Sequence, residues 1–498
     1  MQAVTIRLHP LGKELTVTRG TSLIDVLHEF GVEFPCGGKG SCGKCKVKLL
    51  QGEILPDLEH TKKLKELGLS SEWRLACMSR AEGDLVLEVG QYEAMIQADE
   101  TLFSFESREG YGVAVDLGTT TLVAQLVDLS TAKVLAVETA MNPQRRWGSD
   151  LISRLESALA GKAPELTRLI REEIGGMLMK LISGRKISID RVVLVGNTVM
   201  QHFFAGSDIR PLSFYPFESP ELDAKSFTAS ELEWNIDCKH ISFYPSIGSF
   251  VGSDILAGIH ATGMWRRKEY SVLVDLGTNG EIVVGNSERL LCASTAAGPA
   301  FEGAKISMGM LATTGAISSV SDREEGLICS VIGNVAASGI CGSGLIDAVA
   351  VLLERGELGD FGEIISGDEA VELTKEVTLT AKDIQEFLLA KAAIAVGLTI
   401  LIRKLEITAE EIVHIYIAGA FGNYINLEKM VRTGMMDFPL DRFRKLGNSA
   451  LIGAKMFLFS EWDIPDEILA LSRHVSLESE KDFQDIFVNE LTFNPPSN

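Results

Sequence analysis

Short segments of alternating apolar and polar residues mark the first ninety positions of the chain. This period of two is typical of β-strands with one buried face. Four segments show it: VTIRLHP (4–10), KELTVTR (13–19), CKVKLLQGE (45–53) and DLVLEVG (84–90). Between the second and third, TSLIDVLHEFGV (21–32) has a capping Thr or Ser, amphipathic spacing and a terminal Gly, which predicts a short helix. The first two strands should form a hairpin around Leu11–Gly12.

A second pattern occurs twice, about 160 residues apart. YGVAVDLGTTTLVAQLVDL (111–129) and SVLVDLGTNGEIVVG (271–285) each predict an apolar strand, a DLGT turn and another apolar strand. Each copy is followed later by an apolar strand, a glycine-containing turn and a helix, in RVVLVGNTVMQHF (191–203) and HIYIAGAFGNYI (414–425). The repeated order predicts an internal duplication.

Two further apolar segments predict helices. Residues 155–182 have helical periodicity and are expected to form a packed helix pair. The run AAIAVGLTILI (392–402), closed by Lys391 and Arg403, is too short to span a bilayer and is expected to be a buried helix.

Length and charge narrow the class of protein. With 498 residues the chain should hold two to four domains. Its net charge of −21 argues against a nucleic-acid or anionic-membrane surface, which needs basic patches. The start alternates like a strand and has no apolar signal-peptide region, so we expect a cytoplasmic protein with no membrane partner.

Three of the eight cysteines lie within ten residues. Cys36, Cys42 and Cys45 follow a C-x5-C-x2-C spacing, and 31 residues separate Cys45 from a fourth cysteine, Cys77. A loop with three thiols and one distant thiol is the ligand plan of a plant-type 2Fe–2S ferredoxin, and small residues let the backbone wrap the cluster. A zinc site or unrelated reduced thiols is the alternative, although the second short knuckle of a zinc ribbon is missing. The other four cysteines are expected to be small buried hydrophobes.

The DLGT turns suggest phosphate chemistry. In such a turn the Gly lets the backbone approach a phosphate, the Thr adds donors, and the Asp at the strand end faces magnesium or an attacking water. Asp116 and Asp275 are therefore predicted to face each other across a cleft. Glu281 could orient water or magnesium, or be a solvated hairpin residue.

Other glycine-rich segments follow in the same half of the chain. STAAGPAFEGAKISMG (294–309) and GICGSGLIDAV (339–349) place small residues before expected helix starts, and IAGAFG (417–422) follows a strand. Any one of these could be a packing glycine, but together they indicate a nucleotide site. The predicted nucleotide-contacting residues are Gly118, Thr119, Thr120, Gly277, Thr278, Asn279, Gly280, Gly298, Pro299, Gly303, Gly342, Gly344, Gly419 and Gly422.

Both halves resemble known folds. The N-terminal pattern resembles the β-grasp 2Fe–2S ferredoxins, and its x5 first interval is closer to the adrenodoxin-like branch. The duplicated half resembles the ASKHA superfamily of sugar kinases, actin and Hsp70-type ATPases, in which two ribonuclease H-like subdomains close on ATP. The resemblance implies an α+β and α/β multidomain protein. Its expected parts are a ferredoxin domain (1–95), a linker (96–110), two ribonuclease H-like subdomains (111–268 and 269–480) and a C-terminal tail (481–498).

The combination of DLGTT, GNTVM, DLGTNGE, AGPAFEG, GICGSG and IAGAFG with a ferredoxin domain resembles the reductive activators of corrinoid-dependent methyltransferase systems. The resemblance implies a 2Fe–2S cluster, ATP with Mg²⁺, and return of Co(II) corrinoid to Co(I). It also implies a corrinoid protein and an upstream low-potential electron donor as partners, no nucleic acid, and it allows a homodimer. Docking to the partner is expected to use the cluster-loop lysines Lys39, Lys44 and Lys46.

Two other functions remain open at this point. One is an ATP-driven electron donor to another low-potential enzyme such as a dehydratase, although those activators share a 4Fe–4S cluster across a dimer and lack a ferredoxin domain. The other is a ferredoxin-regulated ASKHA kinase or sensor, which would need a sugar site or a DNA-binding module.

Overall fold

The computed structural model describes most of the chain as two compact units, Met1–Met95 with Ala300–Glu386 and Ile96–Pro299 with Phe387–Asn498. The structure describes the whole chain except residues 1–2, 10–12, 28–29, 31, 33–44, 67–68, 90–102, 104, 149, 278, 296, 298–299, 302, 304, 313–314, 324–325, 420–424, 462 and 494–498. The domain boundaries expected from the sequence stay predictions.

The N-terminal part is a small twisted sheet with two short helices. Its elements are β1 (Ala3–His9), β2 (Lys13–Thr18), β3 (Thr21–Ser22), α1 (Leu23–Leu27), β4 (Lys46–Gln51), α2 (Leu58–Glu66), β5 (Trp73–Leu75), β6 (Arg80–Ala81) and β7 (Leu85–Glu88). Five strands pair in the order β2-β1-β7-β4-β5, with β1 and β2 antiparallel and β1 and β7 parallel. The predicted hairpin, short helix and later strands are thus confirmed. Alternate residues such as Ile6, Leu8 and Leu87 fill the core, as the period of two requires.

The first large sheet follows. Its elements in chain order are β8 (Tyr111–Leu117), β9 (Thr121–Asp128), β10 (Val134–Met141), α3 (Leu151–Ser157), α4 (Ala163–Ile182), β11 (Ile189–Val195), α5 (Thr198–Ala205), α6 (Arg210–Ser213), β12 (Lys225–Phe227), β13 (Cys238–Phe243) and α7 (Ser253–Thr262). The strands pair in the order β10-β9-β8-β11-β13-β12. The helix pair predicted over 155–182 is α3 and α4, joined by a π-helical turn in which Gly161 has a φ of 93°.

The second DLGT copy begins the next three strands, β14 (Tyr270–Leu276), β15 (Gly280–Gly285) and β16 (Leu290–Thr295). A segment of smaller elements then interrupts this sheet. It contains β17 (Ala316–Arg323), β18 (Gly326–Val331), β19 (Gly339–Ile340), α8 (Gly342–Glu354), β20 (Ala370–Glu372) and β21 (Thr378–Thr380). The three strands β18, β17 and β19 form one small sheet, and the parallel pairing of β17 with β19 leads directly into α8.

The long helix α9 (Ala381–Leu405) precedes the return to the second large sheet. The remaining elements are β22 (Ile412–Ala418), α10 (Leu427–Arg432), β23 (Phe443–Gly447), α11 (Ser449–Phe457), α12 (Ile464–Leu471), β24 (Ser472–His474) and α13 (Phe483–Glu490). Helix α13 lies in the predicted C-terminal tail, and the Lys391 ammonium donates to Glu490 Oε2 at 3.0 Å.

The helix around residues 392–402 is buried as predicted, but its expected length was too short. It runs for 25 residues, because the polar residues at both ends of the apolar run continue the helix. Across the described part of the chain, α9 alone has the length and apolarity to cross a membrane, and 78% of its most apolar window is buried within the protein.

The two six-stranded sheets share one strand order. The sheet β10-β9-β8-β11-β13 has the same succession of antiparallel and parallel neighbours as β16-β15-β14-β22-β23. The duplication and the ASKHA-type architecture predicted from the repeated motifs are therefore confirmed. One core fills the space under the first sheet with α3, α4 and α5. A second core joins apolar faces of both sheets with α7 and α11.

Candidate functional site

The two aspartates of the DLGT motifs lie at equivalent places in the two sheets. Asp116 is the penultimate residue of β8 and lies beside Val195 of the parallel strand β11. Asp275 is the penultimate residue of β14 and lies beside Ala418 of β22. Both carboxylates therefore stand at the carboxyl ends of parallel strands. This is the edge at which ligands of open α/β sheets bind.

The start of helix α11 contacts both aspartates. Asn448 donates from Nδ2 to Asp116 Oδ2 at 2.7 Å, and the neighbouring Ser449 hydroxyl donates to Asp275 Oδ2 at 3.2 Å. Asn448 also caps α11, because its Oδ1 accepts from the Leu451 N–H at 2.8 Å. Two consecutive residues thus bring the two predicted catalytic carboxylates into one site, as the prediction of facing aspartates requires.

Two more carboxylates complete this cluster. Glu281 lies directly opposite Asp275 in the antiparallel pair of β14 and β15, so the two side chains share one face of the sheet. It is 8% exposed, which rules out the alternative of a solvated hairpin residue. Asp254, in the first turn of α7, was missed at the sequence level because SDILAG resembles an ordinary helix start. Its Oδ1 accepts from the Ile255 N–H at 2.8 Å.

Burial raises the pKa of every carboxyl group in this cluster. Desolvation raises the pKa of Asp116 to about 6. It raises the pKa of Asp275 to about 7, and the charge of Asp116 adds to that rise. Burial likewise raises the pKa of Asp254 to about 7, reinforced by the charge of Asp275. The pKa of Glu281 rises for the same two reasons, burial first and then the neighbouring aspartates. A bound cation would stabilise buried carboxyl groups that lie this close together, although no three side chains of this cluster are already arranged as metal ligands in the described part of the chain.

The first DLGTT turn is held by side chains that the sequence patterns did not reveal. Asn142 donates from Nδ2 to the Gly118 carbonyl at 2.9 Å, and its own N–H donates to the Thr120 carbonyl at 2.9 Å. The predicted contact residue Thr119 is 7% exposed; its hydroxyl accepts from Asn197 Nδ2 at 3.0 Å, and its carbonyl accepts from Arg154 at 2.7 Å. The backbone of this turn is therefore fixed before any ligand binds.

The predicted glycines near the carboxylates differ in their reasons for being glycine. A Cβ on Gly118 would lie 2.5 Å from the Thr121 carbonyl, one on Gly280 2.7 Å from Thr295 Oγ1, and one on Gly419 2.3 Å from the Leu276 carbonyl. Close packing explains those three. Gly277 has room for a Cβ among the described atoms, with no atom nearer than the Asn279 carbonyl at 3.8 Å. Packing therefore does not explain the glycine at 277, and its contact with a phosphate stays a prediction.

The glycines of the other compact unit are also tightly packed. A Cβ on Gly303 would lie 2.5 Å from the Met310 nitrogen, one on Gly342 2.0 Å from the Phe301 carbonyl, and one on Gly344 2.1 Å from the Ile317 carbonyl. The sequence predicted small residues before a helix start, and the structure places Gly342 and Gly344 within the first turn of α8, where backbone N–H groups can receive an anion. Their contact with nucleotide stays a prediction. Thr278, Gly298, Pro299 and Gly422 lie outside the described residues.

The thiols of Cys45 and Cys77 meet at the end of strand β4. Their sulfurs are 3.2 Å apart, and neither cysteine is part of a disulfide. A tetrahedral metal with metal–sulfur bonds of about 2.3 Å holds two sulfurs about 3.8 Å apart, so this pair fits one iron after a small shift. Cys36 and Cys42 lie outside the described residues, and among those that are described no group of three or more His, Cys, Asp or Glu side chains is arranged around a metal.

Hydrogen bonds position the segment that carries Cys77. The Ala76 N–H donates to the Cys45 carbonyl at 2.8 Å, and the Leu75 N–H donates to His60 Nε2 at 2.9 Å. Burial lowers the pKa of His60, which keeps the imidazole neutral and able to accept this bond. The two cysteines are thus held in place by backbone contacts, independently of a metal.

Lys46 corrects one expectation. It was predicted to be a surface lysine that docks to a partner, but it is only 8% exposed. Its ammonium lies 5.5 Å from the centre of the Trp73 ring and donates to the Ala336 carbonyl at 3.4 Å. Burial lowers the pKa of Lys46 to about 8. Lys39 and Lys44 lie outside the described residues.

The raised carboxyl pKa values lead to a stability prediction. A carboxyl with a higher pKa in the folded protein than in the unfolded chain binds its proton more tightly when folded, so the free energy of unfolding falls as pH rises between the two values. For Asp275 that window runs from 3.8 to about 7. We expect the Tm of the nucleotide-free protein to fall by several degrees as the pH rises across this window. Scanning calorimetry at several pH values measures it.

The variant Asp275→Asn should flatten this pH dependence, because it removes one raised carboxyl and relieves its repulsion of Asp254 and Glu281. Asp190→Asn is the matched control, since Asp190 forms a surface ion pair with Lys239. An equal slope in the Asp275→Asn variant and the wild-type protein would show that the cluster does not control stability in this range.

Comparisons with known families agree with these two sites. Residues 6–82 match the family described as the 2Fe-2S iron-sulfur cluster binding domain, so the cysteine-bearing domain holds a 2Fe–2S cluster. Residues 111–267 match the RACo middle region, and residues 269–497 match the C-terminal domain of RACo, the ASKHA domain. The ASKHA domain is a nucleotide-binding module, consistent with ATP and Mg²⁺ at the carboxylate cluster.

Relatives match the chain over most of its length. The corrinoid activation enzyme RamQ of Eubacterium limosum is 34% identical over 423 residues, which cover 77% of this chain and 70% of the relative. The [Co(II) methylated amine-specific corrinoid protein] reductase of Methanosarcina barkeri is 28% identical over 77% of both chains. The solved structure of a reductive activator for corrinoid, iron-sulfur protein superposes with a TM-score of 0.69 at 26% identity over 98% of both chains. The chain therefore belongs to the family of ATP-dependent corrinoid activation enzymes.

Proposed function

We propose that this protein uses ATP to return the inactive Co(II) form of a corrinoid protein to Co(I), within a methyltransferase or O-demethylase system. The observation that carries the proposal is the presence in one chain of two separate built sites. One is the pair of neighbouring cysteines, Cys45 and Cys77, in a ferredoxin-type domain. The other is the carboxylate cluster around Asp116 and Asp275 in the ASKHA-type fold. Relatives with this arrangement are named as corrinoid activation and Co(II) reductase enzymes.

The carboxylates and the turns have distinct roles in this proposal. Asp116 and Asp275 bind the magnesium that accompanies ATP and position the attacking water, directly or through that ion. Glu281 and Asp254 hold protons or orient water beside them, as their raised pKa values allow. The backbone at Gly277, which has open space above it, receives a phosphate. Asn448 and Ser449 keep the two aspartates together as the charge in the site changes.

The thiols hold the redox group. When bound, the 2Fe–2S cluster supplies the single electron that the Co(II) corrinoid accepts. Cys45 and Cys77 are proposed as two of its four protein ligands, with Cys36 and Cys42 as the others. Hydrogen bonds of His60, Leu75 and Ala76 hold Cys45 and Cys77 close together.

A thermodynamic argument explains why ATP is needed. Plant-type clusters have potentials near about −400 mV, and a one-electron gap of about 120 mV to a more negative cobalt couple would cost roughly 2.8 kcal/mol. Such a gap leaves only a small Co(I) fraction at equilibrium. A ligand shifts an equilibrium by its difference in affinity for the two states. A nucleotide-dependent conformation that binds the corrinoid protein in its more reducible state can therefore offset this free-energy cost.

The proposal also covers the electron donor, the cellular compartment and the oligomeric state. We propose an upstream low-potential electron donor that reloads the cluster, because each turnover removes one electron. The cytoplasm is the proposed compartment, since it keeps cysteines that form no disulfide, such as Cys45 and Cys77, reduced. A homodimer is compatible with the proposal, and none of the roles assigned to residues here requires one.

The direct test is reduction of a Co(II) corrinoid protein by the full-length protein. With a strong reductant and Mg·ATP, we expect the Co(I) absorbance band to appear at a rate proportional to the activator concentration. Without nucleotide, or with a non-hydrolysable analogue, the Co(I) yield should be at least about tenfold lower, because the uncoupled electron equilibrates against a more negative couple.

The control is the same mixture with the ferredoxin cluster reduced but the corrinoid protein omitted, which shows whether ATP hydrolysis depends on that partner. Equal Co(I) yields with and without ATP would contradict the proposal. Phosphorylation of a sugar, or reduction of a dehydratase at a higher rate, would favour one of the two alternative functions.

A further inference from the structure

The buried ammonium of Lys46 lies where the ferredoxin domain meets the segment that leads into helix α8. Both belong to one compact unit. Lys46 follows the cluster cysteine Cys45 directly, yet its Nζ reaches the carbonyl of Ala336, 290 residues away in the sequence. Val335 packs against the apolar core of the ferredoxin domain. A Cβ on Gly315 would lie 2.7 Å from Lys46 Nζ, so the lysine fills the space that a side chain there would need.

The three residues Gly315, Val335 and Ala336 are called the docking face here. We propose that the docking face holds the ferredoxin domain through Lys46 and that its occupation is coupled to nucleotide binding at the first turn of α8. The proposal rests on the proposed function and on the contact with nucleotide that the sequence predicts for Gly342 and Gly344. It adds a route by which that contact reaches the cluster domain.

The contact is close to energetic balance. No carboxylate among the described residues pairs with Lys46, which has only a carbonyl and the Trp73 ring as partners. Removing an ammonium from water without an opposite charge is costly, and a carbonyl and an aromatic face repay only part of that cost. The distance of 3.4 Å is also at the long end for a hydrogen bond. A shift of a few tenths of an ångström in Ala336 would therefore change the stability of the docked state.

The backbone between Ala336 and α8 is stiff enough to transmit such a shift. The Ser338 N–H donates to the Gly315 carbonyl at 2.8 Å, and the Ile340 N–H donates to the Met308 carbonyl at 2.9 Å. The Cys341 N–H donates to the Ile317 carbonyl at 3.1 Å, and Gly342 begins the helix immediately afterwards. Five residues lie between Ala336 and Gly342, and these backbone hydrogen bonds fix three of them.

Thermodynamic linkage allows the proposed coupling to be measured either at the docking face or at the nucleotide site. If nucleotide strengthens docking by some factor, docking must strengthen nucleotide binding by the same factor. Variants that weaken docking should therefore bind nucleotide less tightly, although none of the changed residues contacts nucleotide in the proposal. Lys46→Met removes the ammonium and keeps the side-chain length. Val335→Lys places a charge against the apolar core from the other partner, far in sequence from the cluster ligands.

The experiment uses the full-length, cluster-loaded protein. The affinity for a non-hydrolysable ATP analogue with Mg²⁺ is measured by calorimetry, and hydrogen exchange is followed over β4 and over residues 332–344. Lys48→Met is the matched control, because Lys48 lies two residues further along β4 and forms a surface ion pair with Glu72 at 2.9 Å. Iron content and the visible spectrum show whether each variant retains its cluster.

In the wild-type protein and the Lys48→Met control, the analogue should slow exchange in both segments. In Lys46→Met and Val335→Lys, we expect at least about fivefold weaker analogue binding and no slowing in β4. Unchanged affinity in both variants, with normal slowing near Gly342, would overturn the coupling and leave the proposed function intact. Failure of the wild-type protein to bind the analogue would overturn both. If Lys46→Met loses iron, Val335→Lys decides the result.

Discussion

Replacing either DLGT aspartate should reduce corrinoid-stimulated ATP hydrolysis by about 10²-fold or more. The variants Asp116→Asn and Asp275→Asn keep the shape of the side chain and remove the charge that binds magnesium and orients water. Both residues stand at equivalent strand ends and are joined through the first residues of α11, so the loss of either one disrupts the same site. Phosphate release in the presence of a Co(II) corrinoid protein is the measurement.

Two observations separate this prediction from simple unfolding. The optical spectrum of the cluster should not change, because Cys45 and Cys77 belong to the other compact unit. The Tm of the nucleotide-free protein should stay equal or rise, since each variant relieves repulsion among buried carboxylates. Asp190→Asn, on the surface of the same unit, should hydrolyse ATP normally. Hydrolysis near the wild-type rate in both Asp116→Asn and Asp275→Asn would refute the role assigned to these turns.

Loss of one cluster thiol should abolish Co(I) formation while nucleotide binding continues. In Cys77→Ser, we expect most of the iron to be lost and the 2Fe–2S EPR signal of the reduced protein to disappear, because a thiolate is replaced by a much weaker ligand. The ferredoxin domain should remain folded, since hydrogen bonds to His60 and Cys45 hold the Leu75–Ala76 backbone without a metal. Iron analysis, EPR and the Co(I) absorbance band provide the readouts.

Cys238→Ser is the matched control for this prediction. Cys238 is also a partly buried free thiol, but it lies at the start of β13, in the other unit. It should keep the full iron content and activity. A zinc content of one per chain with no iron in the anaerobically purified wild-type protein would contradict the assignment of the thiols to a 2Fe–2S cluster.

Local patterns were sufficient for the elements and for part of each site. The alternating segments before residue 90 and the two DLGT copies predicted the strands in which they are found, because a period of two and a tight turn are properties of neighbouring residues. The same copies predicted Asp116 and Asp275, since a carboxylate at the end of an apolar strand is visible without knowledge of the fold. Cys45 and Cys77 were identified by the chemistry that their spacing allows, and the structure brings their sulfurs together.

Tertiary structure alone decided which distant residues complete the sites. Asn448 and Asp116 are 332 residues apart, and no spacing in the sequence connects them. Asp254 sits at an ordinary helix start, and only the packing of α7 against α11 and both sheets gives it charged neighbours. A side chain at Gly342 or Gly344 would clash with the backbone of a neighbouring segment, so packing alone requires glycine at both positions.

The burial of Lys46 is another feature that the sequence did not predict. A lysine among other lysines beside a glycine-rich loop is expected in water, because its charge favours solvation. The sequence near Lys46 contains no sign of the segment around Ala336 that covers it. Composition and periodicity thus determined the strands, the helices and the residue types able to do chemistry. Burial, charge coupling and the partners of Lys46 depend on contacts between distant segments, which only the folded chain creates.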